Sequence, residues 1–259
     1  MFIATDNQSV RANSANESIS QSGLLMCAKY AFPPNALHYC GPEKQDDLLG
    51  YRHGLYPDSC AQDIIKQFQT LYPYLVLIAG ENNISDPLDP RVVEAYWIGN
   101  ALLHNVSMRN FHRHFVDGLH LKKKIPKKEF ELLTGKFAKG ALPHHTFHVL
   151  NVFTRTGHHM AKHTLETMDA CRIGWGKVVQ KDPLSVETNP LILQNGELSL
   201  GKPVVKQIHI PIASSLFPVP CSLYVSFHWN QFCDVVTESQ VRQLSFYTKK
   251  AIEIANMSR

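Results

Sequence analysis

No stretch of this 259-residue chain stays apolar for the ~18 residues that a membrane-spanning helix needs. The first residues, Met1-Phe2-Ile3-Ala4-Thr5-Asp6, lack a basic stretch followed by an apolar one, so no secretory signal is expected. Cysteine is sparse. Its six positions (27, 40, 60, 171, 221 and 233) are too few and too irregular for a disulfide framework in a chain of this length. Reduced thiols and a cytoplasmic location are the expectation. A Gly-rich phosphate loop, a nucleophile elbow and a pair of facing carboxylates are also missing, so no nucleotide cofactor is expected. Internal repeats are absent.

What remains is the composition of a globular protein: 44% hydrophobic and 19% charged residues, enough to bury a core. The net charge of +4 is modest, and much of it sits in Lys122, Lys123, Lys124, Lys127 and Lys128 around Pro126. That cluster reads as a solvated connection between helices, and with no aromatic RNA-binding motif beside it nucleic acid is disfavoured as a partner. Histidine is the unusual count, at 14.

Residues 4–22 are rich in Ser, Asn and Gln, and residues 1–22 are expected to form a disordered tail. The prolines of Tyr30-Ala31-Phe32-Pro33-Pro34-Asn35 predict an extended lead-in. Beyond it the apolar period is helical. Ala61, Ile64, Ile65, Phe68, Leu71, Tyr72 and Leu75 form a stripe that Pro73 must kink or interrupt. Asp89 and Pro90 read as the cap and first position of the next helix, followed by helices carrying Phe111 and Phe115, then Phe130, Leu133 and Phe137, with Gly140 as a stop.

After about residue 170 the period changes to two. Asn195-Gly196, between Leu191-Ile192-Leu193-Gln194 and Glu197-Leu198-Ser199-Leu200, predicts a tight hairpin. Val204, Ile208 and Ile210 share a face of another strand, and Tyr224 to Phe232 read as one more. Thr237-Glu238-Ser239-Gln240 is a capping box opening a last helix with Val241, Leu244, Ala251 and Ala255 inward. The fold class expected is α+β: a helical domain over 23–168, then a small OB-like β-barrel with a C-terminal helix over 169–259.

Two residue blocks in the C-terminal third resemble the HypC family of [NiFe]-hydrogenase maturation chaperones. One is Cys171-Arg172-Ile173-Gly174-Trp175-Gly176-Lys177-Val178-Val179, similar to the cysteine and Gly-Lys-Val-Val strand that open that family. The other is the strand Tyr224-Val225-Ser226-Phe227-His228, which carries a histidine ahead of an acidic helix start at Val236-Thr237-Glu238. The resemblance implies a shared barrel, a protein partner, and iron handled by Cys171 and His228. Here, however, the cysteine is internal, Trp175 stands where the family has proline, and Trp229, Asn230 and Gln231 replace its glycine and small residues. In the helical part, Tyr30 to Asn35, Tyr39-Cys40-Gly41-Pro42 and Val92-Val93-Glu94-Ala95-Tyr96-Trp97 resemble an uncharacterised bacterial family, some of whose members lie near hydrogenase genes. That kinship carries no reaction.

Between the halves run Pro143-His144-His145-Thr146-Phe147-His148 and Gly157-His158-His159-Met160-Ala161-Lys162-His163. If each is helical, His144 and His148 lie one turn apart, as do His159 and His163, the spacing of metal-binding helix pairs. Glu166 is placed to serve as a third ligand or an acceptor behind the ligands. The candidate metal set is therefore Cys171, His228, His144, His145, His148, His158, His159 and His163. Thiolate with imidazole favours iron or zinc over magnesium or calcium. Cys40, Cys233 and Glu94 are weaker candidates, each more simply read as packing.

Three functions stand open. One is a metallocentre-assembly or metal-delivery protein with a protein partner, connected to [NiFe]-hydrogenase maturation. Another is a metal-dependent enzyme whose site is built from the histidines. The third is a metal-free interaction module.

Overall fold

The computed structural model describes residues 23–152, 154–155, 161–211 and 222–257. The tail read over 1–22, and His158 and His159, lie outside the described residues.

The chain opens with helix α1 (23–36), which runs straight through the two prolines of the expected extended lead-in. The prolines sit in its last turn, and Leu24, Cys27, Ala28, Tyr30 and Ala31 are all buried. That buried face outweighs the local bias against helix before proline. Pro34 carries no N–H, so the carbonyl of Tyr30, four residues back, has no donor within the helix.

Further helices complete the first half: α2 (Gln45–Arg52), α3 (Asp58–Lys66), α4 (Leu71–Glu81), α5 (Pro90–Trp97) and α6 (Met108–Arg113). Pro73 interrupts the predicted stripe by falling in the first turn of α4, where a missing N–H costs nothing. Asp89 caps α5 as expected, accepting from the Arg91 amide. α6 continues into one π turn (His114–Gly118), and the lysine cluster is divided between two short helices, α7 (Leu121–Lys124) and α8 (Lys127–Gly135).

The histidine-rich connection is only partly helical. It begins with α9 (His145–Val152), but the second run holds a strand. β2 (Ala161–Lys162) pairs antiparallel with β1 (Thr154–Arg155), so His163 emerges from a strand rather than a helix. Helix α10 (Leu165–Cys171) follows, opened by a Thr164–Thr167 capping box.

The sheet part contains β3 (Gly174–Lys181), β4 (Leu184–Thr188), β5 (Leu191–Gln194), β6 (Glu197–Leu200), β7 (Val204–Gln207), β8 (Tyr224–His228) and β9 (Gln231–Val236), before the long helix α11 (Glu238–Asn256). Five strands form an antiparallel sheet in the order β7-β4-β3-β8-β9, while β5 and β6 form the predicted hairpin. Asn195 (φ 53°) and Gly196 (φ 83°) both adopt the left-handed conformation that this turn requires. The segment read as one strand from Tyr224 to Phe232 is instead a hairpin, turning at Trp229 and Asn230 with φ 50° and 59°. A single parallel bridge, His209 to Gln231, draws the two edges together. Among the described residues no continuous ladder closes the sheet, so the structure shows an antiparallel five-stranded sheet and not a closed barrel.

Two hydrophobic cores result. A small one gathers Val178, Leu184, Val186, Ile208, Val225 and Phe227 from the five-stranded sheet and the residue after β7. The large one joins the helices to β5, β6, β9 and α11, with Leu198, Val236, Leu244 and Ile254 among its members. α11 packs along α9, and among the described residues no helix is long and apolar enough to cross a membrane.

Candidate metal centre

Three elements from distant parts of the chain converge beside the first turn of α9. His145 opens α9, Cys171 ends α10, and His228 ends β8. One ligand atom from each lies within 4.8 Å of the other two. His228 is 1% exposed and His145 8%, while Cys171 is half-buried. This cluster can hold a metal ion.

The surrounding bonds fix each donor. The Trp229 amide donates to the Ala170 carbonyl at 2.7 Å, tying the β8–β9 turn to the last turn of α10. The buried Arg172 pairs with Asp169 at 2.7 Å and donates to the Asn189 carbonyl, anchoring the exit from α10. Gly174 then begins β3 under the ring of Phe227, where any Cβ would stand 2.2 Å from ring carbon. Cys171 and His228 are thereby held on adjoining elements.

The His228 imidazole is set in one tautomer. Its Nδ1 lies 2.8 Å from the Tyr30 carbonyl, which can only accept, so Nδ1 carries the proton. That carbonyl is the one Pro34 leaves without a helical donor. Nε2 therefore bears a lone pair, is fully buried, and finds no donor among the described residues, the Cys171 main chain beside the ring offering only an acceptor. A buried, unsatisfied acceptor nitrogen costs stability unless something fills its lone pair.

His145 is held at both ends. Its Nδ1 lies 3.2 Å from the Tyr96 hydroxyl and its Nε2 2.8 Å from the Cys171 carbonyl. That carbonyl can only accept, so Nε2 carries the proton here and Nδ1 accepts from the Tyr96 hydroxyl; ligation through this ring would exchange one of these two bonds for the metal. Burial, and then the neighbouring His228, push the His145 pKa well below its ordinary value. Burial also takes His228 down to about 4, so both rings are neutral at pH 7, the form that ligates metal.

The cluster borders a cavity of about 60 Å³, larger than the space one water occupies. Its walls include Phe68, Leu71, Trp97 and Trp229, together with Cys40, His148 and His163. His148 reaches the cavity one turn along α9, its Nδ1 3.0 Å from the Tyr74 hydroxyl. His163 lies with Nδ1 3.3 Å from the Thr167 hydroxyl. Both stand outside the close triad. His144 faces the other way, stacked on Tyr247 with its Nδ1 accepting from the Thr146 amide. His144 precedes α9, so the four-residue spacing to His148 does not put the two on one helix face, and the cavity takes His145 and His148 instead.

The weaker candidates fall apart differently. Glu166 is exposed on the first turn of α10. Glu94 accepts from Gln240 and Asn100, linking α5 to α11. Cys233 is a buried strand residue whose thiol burial raises to about 12. Tyr96 and Tyr30, which orient the two candidate rings, were missed as site residues, Tyr30 being read only as part of an extended lead-in. The Tyr96 phenol is raised by burial first, then by Tyr74, Cys40, Cys171 and Cys27.

The sequence profile of a family of unknown function (DUF6390) matches residues 19–259. The chain belongs to that family. The match covers both the helical part and the sheet, and with them every member of the triad. No curated protein and no solved structure matches the chain. The likeness to HypC therefore rests on the two residue blocks alone.

Proposed function

We propose that this member of the family is a metal-binding accessory protein that holds a thiolate-preferring transition metal, of the iron or zinc class, for delivery to a protein partner. The observation that carries the reading is the buried Nε2 of His228, left unprotonated because Nδ1–H donates to the Tyr30 carbonyl, within 4.8 Å of the Cys171–His145 pair. A hard cation such as magnesium finds no oxygen-rich cage here, because the donors are sulfur and imidazole nitrogen. The HypC-like blocks bring the same cysteine and histidine together and support a role in metallocentre assembly, with [NiFe]-hydrogenase as the candidate recipient.

A metal-dependent enzyme is the second reading, favoured by the cavity of about 60 Å³ that extends past the triad and leaves room for a small molecule on an ion. Chelator competition under anaerobic conditions, with zinc and ferrous iron, tests the metal claim. Cys171→Ser and His228→Asn are expected to abolish stoichiometric binding, and His144→Gln to leave it intact. Equal affinity in all of these variants contradicts the site. Release of the ion to an acceptor protein faster than to a chelator of equal affinity favours delivery, and turnover of a small substrate favours the enzyme.

A further inference from the structure

The triad is electrically incomplete. A divalent ion held by one thiolate and two neutral imidazoles leaves a net positive charge in a cavity walled by Phe68, Leu71, Trp97 and Trp229. Burying that charge unpaired is costly, and four-coordinate zinc sites close with a further protein ligand. Among the described residues no carboxylate lines the cavity. Its remaining donors are His148 and His163, which are neutral ligands when they bind, and Cys40, which as a thiolate brings the charge to zero.

The fold presents Cys40 deliberately. Asn35, 1% exposed, donates through Nδ2 to the carbonyls of Cys40 (3.0 Å) and Pro42 (2.7 Å), clamping the loop after α1 at this residue. Gly41, at φ 84°, lies so close to the Phe68 ring that a Cβ would stand 2.3 Å from it, which presses the loop onto the cavity wall. Tyr39 packs on Trp229 with ring centroids 4.5 Å apart, joining the same loop to the turn that follows His228. Cys40 is half-buried and stands outside the 4.8 Å triad, on a loop rather than at the end of a helix or strand.

We propose that Cys40 is the fourth ligand, completing a two-cysteine, two-histidine site for zinc or ferrous iron, and that it is the ligand displaced when the ion is handed on. The inference rests on the metal-binding reading above. On binding, the loop moves the thiolate inward, and on transfer a partner's donor takes its place without disturbing the three ligands held by regular structure.

Cobalt(II) is the probe, because each coordinated thiolate adds sulfur-to-cobalt charge-transfer absorption. The anaerobic full-length protein is titrated beside Cys40→Ser, Cys40→Ala, Cys171→Ser and Cys60→Ser, with thermal melts of each to confirm the fold. Both Cys40 variants are expected to lose about half of the charge-transfer intensity and to bind about 10- to 100-fold more weakly, whereas Cys60→Ser matches wild type. A wild-type spectrum in folded Cys40 variants, with Cys171→Ser altered, overturns the role of Cys40 and leaves the metal site standing. No cobalt binding by wild type overturns both.

Discussion

A proton on Nδ1 of His228 decides what its other nitrogen can do. The Tyr30 carbonyl accepts a hydrogen bond from Nδ1–H, and Nε2 is left as a buried acceptor able to ligate a metal ion. The Tyr96 hydroxyl orients His145 through its Nδ1, so Tyr96→Phe, which frees the ring to turn, is expected to weaken zinc binding about 10- to 100-fold while leaving the fold intact. Chelator competition beside a thermal melt reads both quantities. The remaining buried imidazoles act on stability. Burial lowers His114, His144 and His148 to about 3, well under their ordinary value of 6.5. Below 6.5 the unfolded chain binds protons that the folded one refuses, so stability falls as the pH drops from there toward 3. Each ring contributes up to about 1.4 kcal/mol per pH unit in that window. Urea melts at pH 7, 6 and 5 should show a steep loss, and His144→Gln should flatten it by up to one proton's worth. An unchanged slope in that variant contradicts the buried neutral ring. At this scale Cys171 and His228 were legible from their place in two short blocks. His145 was one histidine among many, because its selection depends on where α9 begins and on Tyr96 from another helix.

Among the elements, α1 shows why local rules misled. Pro33 and Pro34 predict extended chain, yet the buried face from Leu24 to Ala31 holds the helix, and the bond Pro34 forfeits becomes the anchor of His228. Pro34→Ala restores an amide that competes for the Tyr30 carbonyl. The expected result is weaker metal binding, by about tenfold, with a melting temperature equal to or above wild type, since helix propensity improves. Lowered stability with unchanged affinity would show that the proline serves packing alone. The two hairpins make a similar contrast. Asn195-Gly196 announces its turn because both residues tolerate positive φ, whereas Trp229 in that conformation is costly and gave no signal. Its ring is held against Tyr39 and its amide against Ala170, so tertiary contacts outweigh the local preference.

For the whole molecule, the change of period near residue 170 was visible, but the packing across it was not. The large core draws its members from both sides of that point, and α11 closes on α9. Buried Asn151 joins the two, accepting from Lys136 at 3.0 Å and donating to the Ala251 carbonyl at 3.1 Å. Asn151→Ala removes both bonds and should cost about 2–3 kcal/mol by urea denaturation. A change under about 0.5 kcal/mol would show that the seam carries little of the stability. Such long-range pairing cannot be read from periodicity, which reports which face is apolar and not what covers it. The triad has the same origin: its ligands come from α9, α10 and β8 and meet only when the two parts pack together. The most direct test is therefore X-ray absorption at the zinc edge of the full-length protein loaded one to one. A first shell of mixed sulfur at about 2.3 Å and nitrogen at about 2.0–2.1 Å, losing sulfur in Cys171→Ser, is the predicted result. A shell of oxygen and nitrogen only, unchanged in that variant, contradicts the account.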